Sequence, residues 1–91
     1  MKNITLEVPR FLQHLTNGAP SVEVEGATVG ECLERLIEQF PPARKLLFDQ
    51  SGELFGHIDI YINGLSTFPR ELARPVHEGD KITMLYLITG G

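Results

Sequence analysis

Residues 29 to 40 read VGECLERLIEQF, and their apolar members Val29, Cys32, Leu33, Leu36, Ile37 and Phe40 recur at steps of three and four. That spacing lays one apolar stripe along an α-helix, and the stripe needs a surface to bury against. The flanking segments provide one. Ile4, Leu6 and Val8 alternate with Thr5 and Glu7, Val22 and Val24 with Ser21, Glu23 and Glu25, and Ile58, Ile60 and Ile62 with Asp59 and Tyr61. Period-two alternation predicts half-buried strands, and with a final strand Lys81 to Leu87 the chain reads as strand, strand, helix, strand, short strand, strand. A mixed sheet of four to five strands with one main helix across one face follows, an α+β architecture.

Local signals set the boundaries. Thr28 with Glu31 three residues later forms a capping box, and Pro41-Pro42 stops the helix. Pro9 to Pro20 reads as a loop with Phe11, Leu12 and Leu15 tucked beneath it and a turn at Asn17-Gly18. Ala43 to Phe48 adds a short helical turn before a turn at Asp49 to Gly52. Asn63-Gly64 is a hairpin signal, returning through a weak strand Leu65 to Phe68. Arg70 to Val76 is a loop or short helical turn, and Glu78-Gly79-Asp80 launches the last strand. On this plan Ile4, Leu6, Val8, Val22, Val24, Ile58, Ile60, Ile62, Ile82 and Met84 face the helix. Tyr61, Leu85 and Leu87 point to the other face of the sheet, into solvent unless something covers them.

Composition narrows the function. At 91 residues the chain has room for one core, so a single domain spanning 1–91 is expected. Eight basic against twelve acidic residues give a formal charge of −4 with no Lys/Arg run, which argues against nucleic acid as a ligand. The single cysteine, Cys32, excludes an intrachain disulfide and a Cys-only metal cluster, and its place in the stripe predicts a packed core thiol. His14, His57 and His77 lack metal-ligand spacing and are expected on exposed or turn positions. Glu31, Glu34 and Glu38 form an acidic helix face, with Glu31 and Arg35 placed for an i, i+4 pair. Arg70 and Arg74 read as surface charges, with contact to a partner's acidic groove as the alternative. With no phosphate-binding loop and no Ser/His/Asp pattern, an independent enzyme is not expected. The opening residues lack a signal-peptide core and no run reaches the roughly 20 apolar residues of a membrane span, so a cytoplasmic location is expected.

The tail "EGDKITMLYLITGG", with Gly79-Asp80 before the last strand and Gly90-Gly91 at the end, resembles the ending of the MoaD/ThiS family of sulfur carriers. "IYING" at 60–64 fits as well, and the matching features cover nearly the whole chain. Within the family, "ITLEVPRFLQHLTNG" and "SGELFGHIDIYING" are most similar to members that deliver sulfide for cysteine synthesis. The chain departs at Tyr86-Leu87-Ile88-Thr89, where many relatives place Pro and Ala.

The resemblance implies a β-grasp, ubiquitin-like fold and a flexible C-terminal Gly-Gly tail. It also implies that the Gly91 carboxylate is adenylated and then made a thiocarboxylate, with Thr89 and Gly90 threading a partner's channel. The implied partners are an adenylating enzyme similar to the ubiquitin activator, which supplies ATP and metal, and a sulfur-accepting synthase. That synthase is a cysteine synthase or the molybdopterin synthase large subunit, with thiamin synthesis third; no cofactor or metal is expected on this chain. Glycine suits the tail because it lacks a Cβ, and four extended residues from Ile88 reach about 13 to 14 Å. Tyr61, Leu85 and Leu87 form the candidate docking patch, with cover by the chain's own loops or a homodimer as the alternative. Two other functions stay open: a protein modifier joined to lysines through the same glycine, and a binding module whose Gly-Gly is accidental.

Overall fold

The computed structural model describes residues 3–86. Strands β1 (Asn3–Glu7) and β2 (Ser21–Glu25) precede helix α1 (Val29–Gln39) and a short α2 (Ala43–Leu47), and β3 (Ile58–Ile62), β4 (Leu65–Ser66) and β5 (Lys81–Tyr86) follow. The sheet order is β2-β1-β5-β3-β4, with β1 and β5 parallel and every other neighbouring pair antiparallel. This is the expected β-grasp. β5, the last strand in sequence, is the middle strand of the sheet.

Register follows the hydrophobic alternation. Leu6 lies opposite both Val22 and Ile82, and Ile60 opposite Met84, so one face is apolar across the strands. Ile4, Leu6, Val24, Ile58, Ile60, Ile82 and Met84 are buried there against Val29, Cys32, Leu33, Leu36 and Ile37 of α1. Val22 and Ile62 pack at the margin of this core. Gly26 permits a close approach of the entering chain to the helix, because a Cβ there would lie 2.9 Å from Cys32 Sγ.

The first turn of α1 leaves no free donors. The N–H of Val29 donates to Arg74 O at 3.0 Å, that of Gly30 to Leu72 O at 2.9 Å, and that of Glu31 to Thr28 Oγ1 at 3.2 Å. The Arg70 to Val76 segment is thus turn-like chain that caps the helix. The capping box forms with one change: the Glu31 carboxylate reaches past Thr28 to accept from the Ala27 N–H at 2.8 Å.

Several expectations are corrected. Glu31, engaged at the cap, does not pair with Arg35; Arg35 pairs with Glu38 at 2.9 Å and Glu34 with Arg44 at 2.8 Å. The Pro9 to Pro20 loop contains a 3₁₀ segment, Arg10–Leu15, that buries Leu12 with Phe11 and Leu15 at the core margin. β4 stops at Ser66 rather than running to Phe68. Buried Thr67 still donates both its N–H (3.0 Å) and its hydroxyl (2.7 Å) to Ile60 O in the same register, and Pro69, which has no N–H to donate, follows two residues on. The expected strand residue Leu87 lies outside the described residues, as do Ile88, Thr89, Gly90 and Gly91.

Candidate functional site

The site is built around β5, the strand that leads to the terminal glycines. Its launching turn is tied to the β3–β4 hairpin. Asn63 and Gly64 both take positive φ (51° and 86°), the pairing that a two-residue hairpin turn requires. The Asn63 side chain then reaches across: its Nδ2 donates to Asp80 Oδ1 at 2.9 Å and its Oδ1 accepts from the Lys81 N–H at 3.0 Å. Asp80 Oδ2 accepts from the His77 N–H at 2.8 Å. This hydrogen bond, followed by that from Asn63, holds the Asp80 carboxyl below the usual carboxylate range.

The sheet face away from α1 is polar over β1 and the start of β5. Thr83 Oγ1 donates to Glu7 Oε1 at 2.7 Å, Lys81 lies 3.8 Å from Glu7, and Thr5 Oγ1 donates to Glu23 Oε2 at 2.6 Å. Towards the end of β5 the face is mixed, with Leu85 and Tyr61 beside Asp59. Because Tyr61 lies opposite Thr83 and Asp59 opposite Leu85, Tyr61 and Leu85 are diagonal neighbours on this face. Leu85 is 45% exposed and Tyr61 is half-buried. Thus the structure brings together two of the three patch residues. The third, Leu87, and the tail residues Thr89, Gly90 and Gly91 lie outside the described residues.

Sequence reasoning missed the surroundings of Tyr86. Its ring touches those of Phe11 and His57, and His57 in turn stacks on Phe55. His57 occupies the turn before β3, as expected, and is half-buried there in an aromatic run. His14 and His77 are exposed. No periodic signal links residues 11, 55, 57 and 86; only the paired alternation of β3 and β5, extended to their ends, places Tyr86 beside the start of β3.

Other candidates carry no chemistry. Cys32 is buried, and burial followed by the nearby Glu31 charge pushes its thiol up to about 11, so it is a neutral core group. Arg74 donates to Thr67 O at 3.3 Å. Among the described residues no cluster of His, Cys, Asp and Glu is arranged to hold a metal, and no helix is long and apolar enough to cross a membrane.

The ThiS family model matches residues 7–91. The sulfur carrier protein CysO of Mycobacterium tuberculosis is 32% identical over 92 residues, spanning 98% of this chain and 99% of its own. Small archaeal modifier protein 1 of Haloferax volcanii is 32% identical over 71 residues, 77% of this chain and 78% of its own. A chain from the BexX/CysO complex of Amycolatopsis orientalis superposes with a TM-score of 0.86 at 30% identity, covering 97% of this chain and 99% of that one. These relatives carry the names of carriers and modifiers, in keeping with a chain that is not itself an enzyme.

Proposed function

The chain belongs to the ThiS family, and from that premise we propose that it is a sulfur carrier whose Gly91 carboxylate is adenylated, converted to a thiocarboxylate and consumed as a sulfide donor in biosynthesis. The observation that carries the reading is the position of β5. The middle strand of the sheet, described through Tyr86, leads towards the terminal glycines, and the family match continues through residue 91. The body of the protein thereby serves as a handle, and the chemistry is confined to the chain end.

A carboxylate is a poor electrophile because its charge repels a nucleophile and it has no competent leaving group. Transfer of AMP from ATP to the Gly91 carboxylate releases pyrophosphate and forms a mixed anhydride. Sulfide then adds to the carbonyl carbon, the bond from carbon to the AMP oxygen breaks, and AMP leaves with the electron pair. Carbon keeps its oxidation state. The partner adenylating enzyme supplies ATP binding and metal, and this chain supplies the acyl group and a docking surface, Tyr61 and Leu85. Cysteine synthesis from an activated serine is the first pathway in this reading, molybdopterin synthesis the second and thiamin synthesis the third. The setting is cytoplasmic. The BexX/CysO complex supports engagement of a protein partner by a chain of this shape.

Intact mass spectrometry tests the reading after incubation with a cognate adenylating enzyme, ATP and sulfide. The expected result is a mass gain equal to exchange of one oxygen for sulfur, absent from a truncation lacking Gly91. No gain with an enzyme proven active overturns it. The second reading, a modifier, draws support from the likeness to small archaeal modifier protein 1. It predicts an isopeptide adduct on target lysines, whereas the carrier is returned unchanged.

A further inference from the structure

On the helix side of the sheet, four aromatic rings form a continuous run at the end of β5. Phe11 and Tyr86 have ring centroids 4.4 Å apart with planes inclined by 54°. His57 meets Tyr86 nearly edge-on at 4.5 Å and 65°, and stacks on Phe55 at 5.1 Å and 21°. Tilted, edge-on and offset-stacked arrangements at these separations are the ones in which aromatic rings attract. Tyr86 is 44% exposed, so its contacts add little to the core itself.

The placement of these rings answers a gap in the sheet. On one side β5 pairs with β1 only as far as Thr83, opposite Glu7. On the other side its ladder with β3 continues through Met84 and Leu85 to Tyr86, opposite Ile58. The last three residues of β5 therefore have a strand on one side only, and terminal rungs of this kind are where sheets open first. Phe11 belongs to the 3₁₀ segment that follows β1, and His57 immediately precedes β3. Tyr86 is gripped by one ring from each of the two neighbouring strands' extensions, and Phe11 occupies the flank where β1 has ended.

We propose that Tyr86 is a positioning residue: held between Phe11 and His57, it fixes the point from which the tail departs, and with it the reach of Gly91 into the adenylating site. The inference rests on the carrier reading above. From Tyr86 five residues span at most about 17 Å. Opening the final rung would move the root of the tail back to Leu85 and release one residue that must be ordered again at each encounter. Ordering one backbone residue reduces productive encounters roughly five- to thirtyfold. The reacting carbon and its leaving group are untouched, so the loss falls on KM.

Two measurements on the full chain test the clasp, using Tyr86→Ala, Tyr86→Phe and His57→Ala. In the first, amide hydrogen exchange, Tyr86→Ala is expected to accelerate exchange in the last rungs of β5 while exchange of the α1 amides is unchanged. In the second, steady-state adenylation, it is expected to raise KM for the carrier roughly five- to thirtyfold with kcat held within about twofold. Tyr86→Phe, which keeps the ring, is expected to restore wild-type values in both. Should Tyr86→Ala not fold, His57→Ala removes one jaw and is expected to move both readouts in the same direction. Unchanged exchange at residues 84–86 overturns the clasp whether or not the carrier reading stands. A wild-type chain that is never adenylated overturns that reading and the role assigned to Tyr86 in it, while the exchange data still report on the grip. Accelerated exchange with an unchanged KM overturns the positioning role.

Discussion

The Asn63 side-chain amide donates to Asp80 Oδ1 at 2.9 Å, joining residues 17 apart in sequence and fastening the start of β5 to the β3–β4 turn. Asp80 at the same time accepts from the His77 N–H, so one carboxylate organises both the turn that launches β5 and the hairpin beside it.

Removing that carboxylate is expected to destabilise the fold. Asp80→Ala removes the acceptor of Asn63 Nδ2 and of the His77 N–H, both solvent-exposed bonds, at a cost of about 0.5–1.5 kcal/mol. A double-mutant cycle with Asn63→Ala, read by urea unfolding, is expected to give a coupling of about 0.5–3 kcal/mol. Additive effects of the two changes would dismiss the link.

The same residue sets an acid limit. The folded pKa of Asp80 is lowered, so its contribution is fully present above the unfolded value of about 3.9 and is lost as pH falls through the folded value. Asp80→Asn is expected to flatten the fall in stability below about pH 4. Some slope remains, because Asp49 is also lowered, chiefly by its hydrogen bond from Ser51. Unfolding curves of the two proteins with identical acid slopes would contradict the assignment.

Cys32 is expected to be chemically silent while the chain is folded. Its pKa of about 11 lies above the unfolded value of about 8.5, so the neutral thiol contributes stability below about pH 8.5 that is lost as pH rises towards 11. Alkylation at about pH 8 should proceed only as fast as the chain opens. Rapid labelling of the native protein would show that the thiol is accessible.

Leu85→Asp tests the docking patch. The side chain lies on the open face, so the substitution is expected to change folding stability by less than about 1 kcal/mol. Its affinity for the adenylating enzyme should fall at least about tenfold, since an apolar contact is replaced by a second carboxylate opposite Asp59. A folded variant with wild-type affinity removes Leu85, and by proximity Tyr61, from the interface.

The tail predicts a separation of folding from activation. Gly90→Val, or one alanine added after Gly91, is expected to abolish adenylation while leaving the melting temperature unchanged. A thermal scan beside an adenylation assay decides it, and normal adenylation of both variants sinks the threading argument.

What could be read from the sequence was whatever repeats with a period or stops at a strong breaker. The α1 stripe, its Thr28 cap, the alternation of β1, β2, β3 and β5 and the Asn63-Gly64 turn are local signals, and the structure places them as expected. The 3₁₀ segment Arg10–Leu15 was hidden because so short a helix imposes no lasting period and is flanked by Pro9 and Asn17-Gly18, which read as loop. β4 was overextended because Thr67 is favourable in strands and still donates to Ile60 O in register, while regular pairing stops at Ser66. Glu31 had two possible partners on paper, and the backbone N–H of Ala27 was the one missed. Of the site, the shared open face of Tyr61 and Leu85 followed from alternation, whereas their diagonal adjacency required the register of β3 with β5. The rings around Tyr86 did not, because three separate segments must first be folded together to meet.

The position of β5 also governs how the molecule bears load. A pull applied through the tail enters the middle strand and is shared along its length by the hydrogen-bonded ladders to β1 and β3. Because β1 runs parallel to β5, tension between the two chain ends shears those bonds together rather than peeling them one by one. An unfolding machine drawing on the reactive end therefore meets the mechanically strongest part of the protein first, with a single high-force rupture as the expected signature in force spectroscopy.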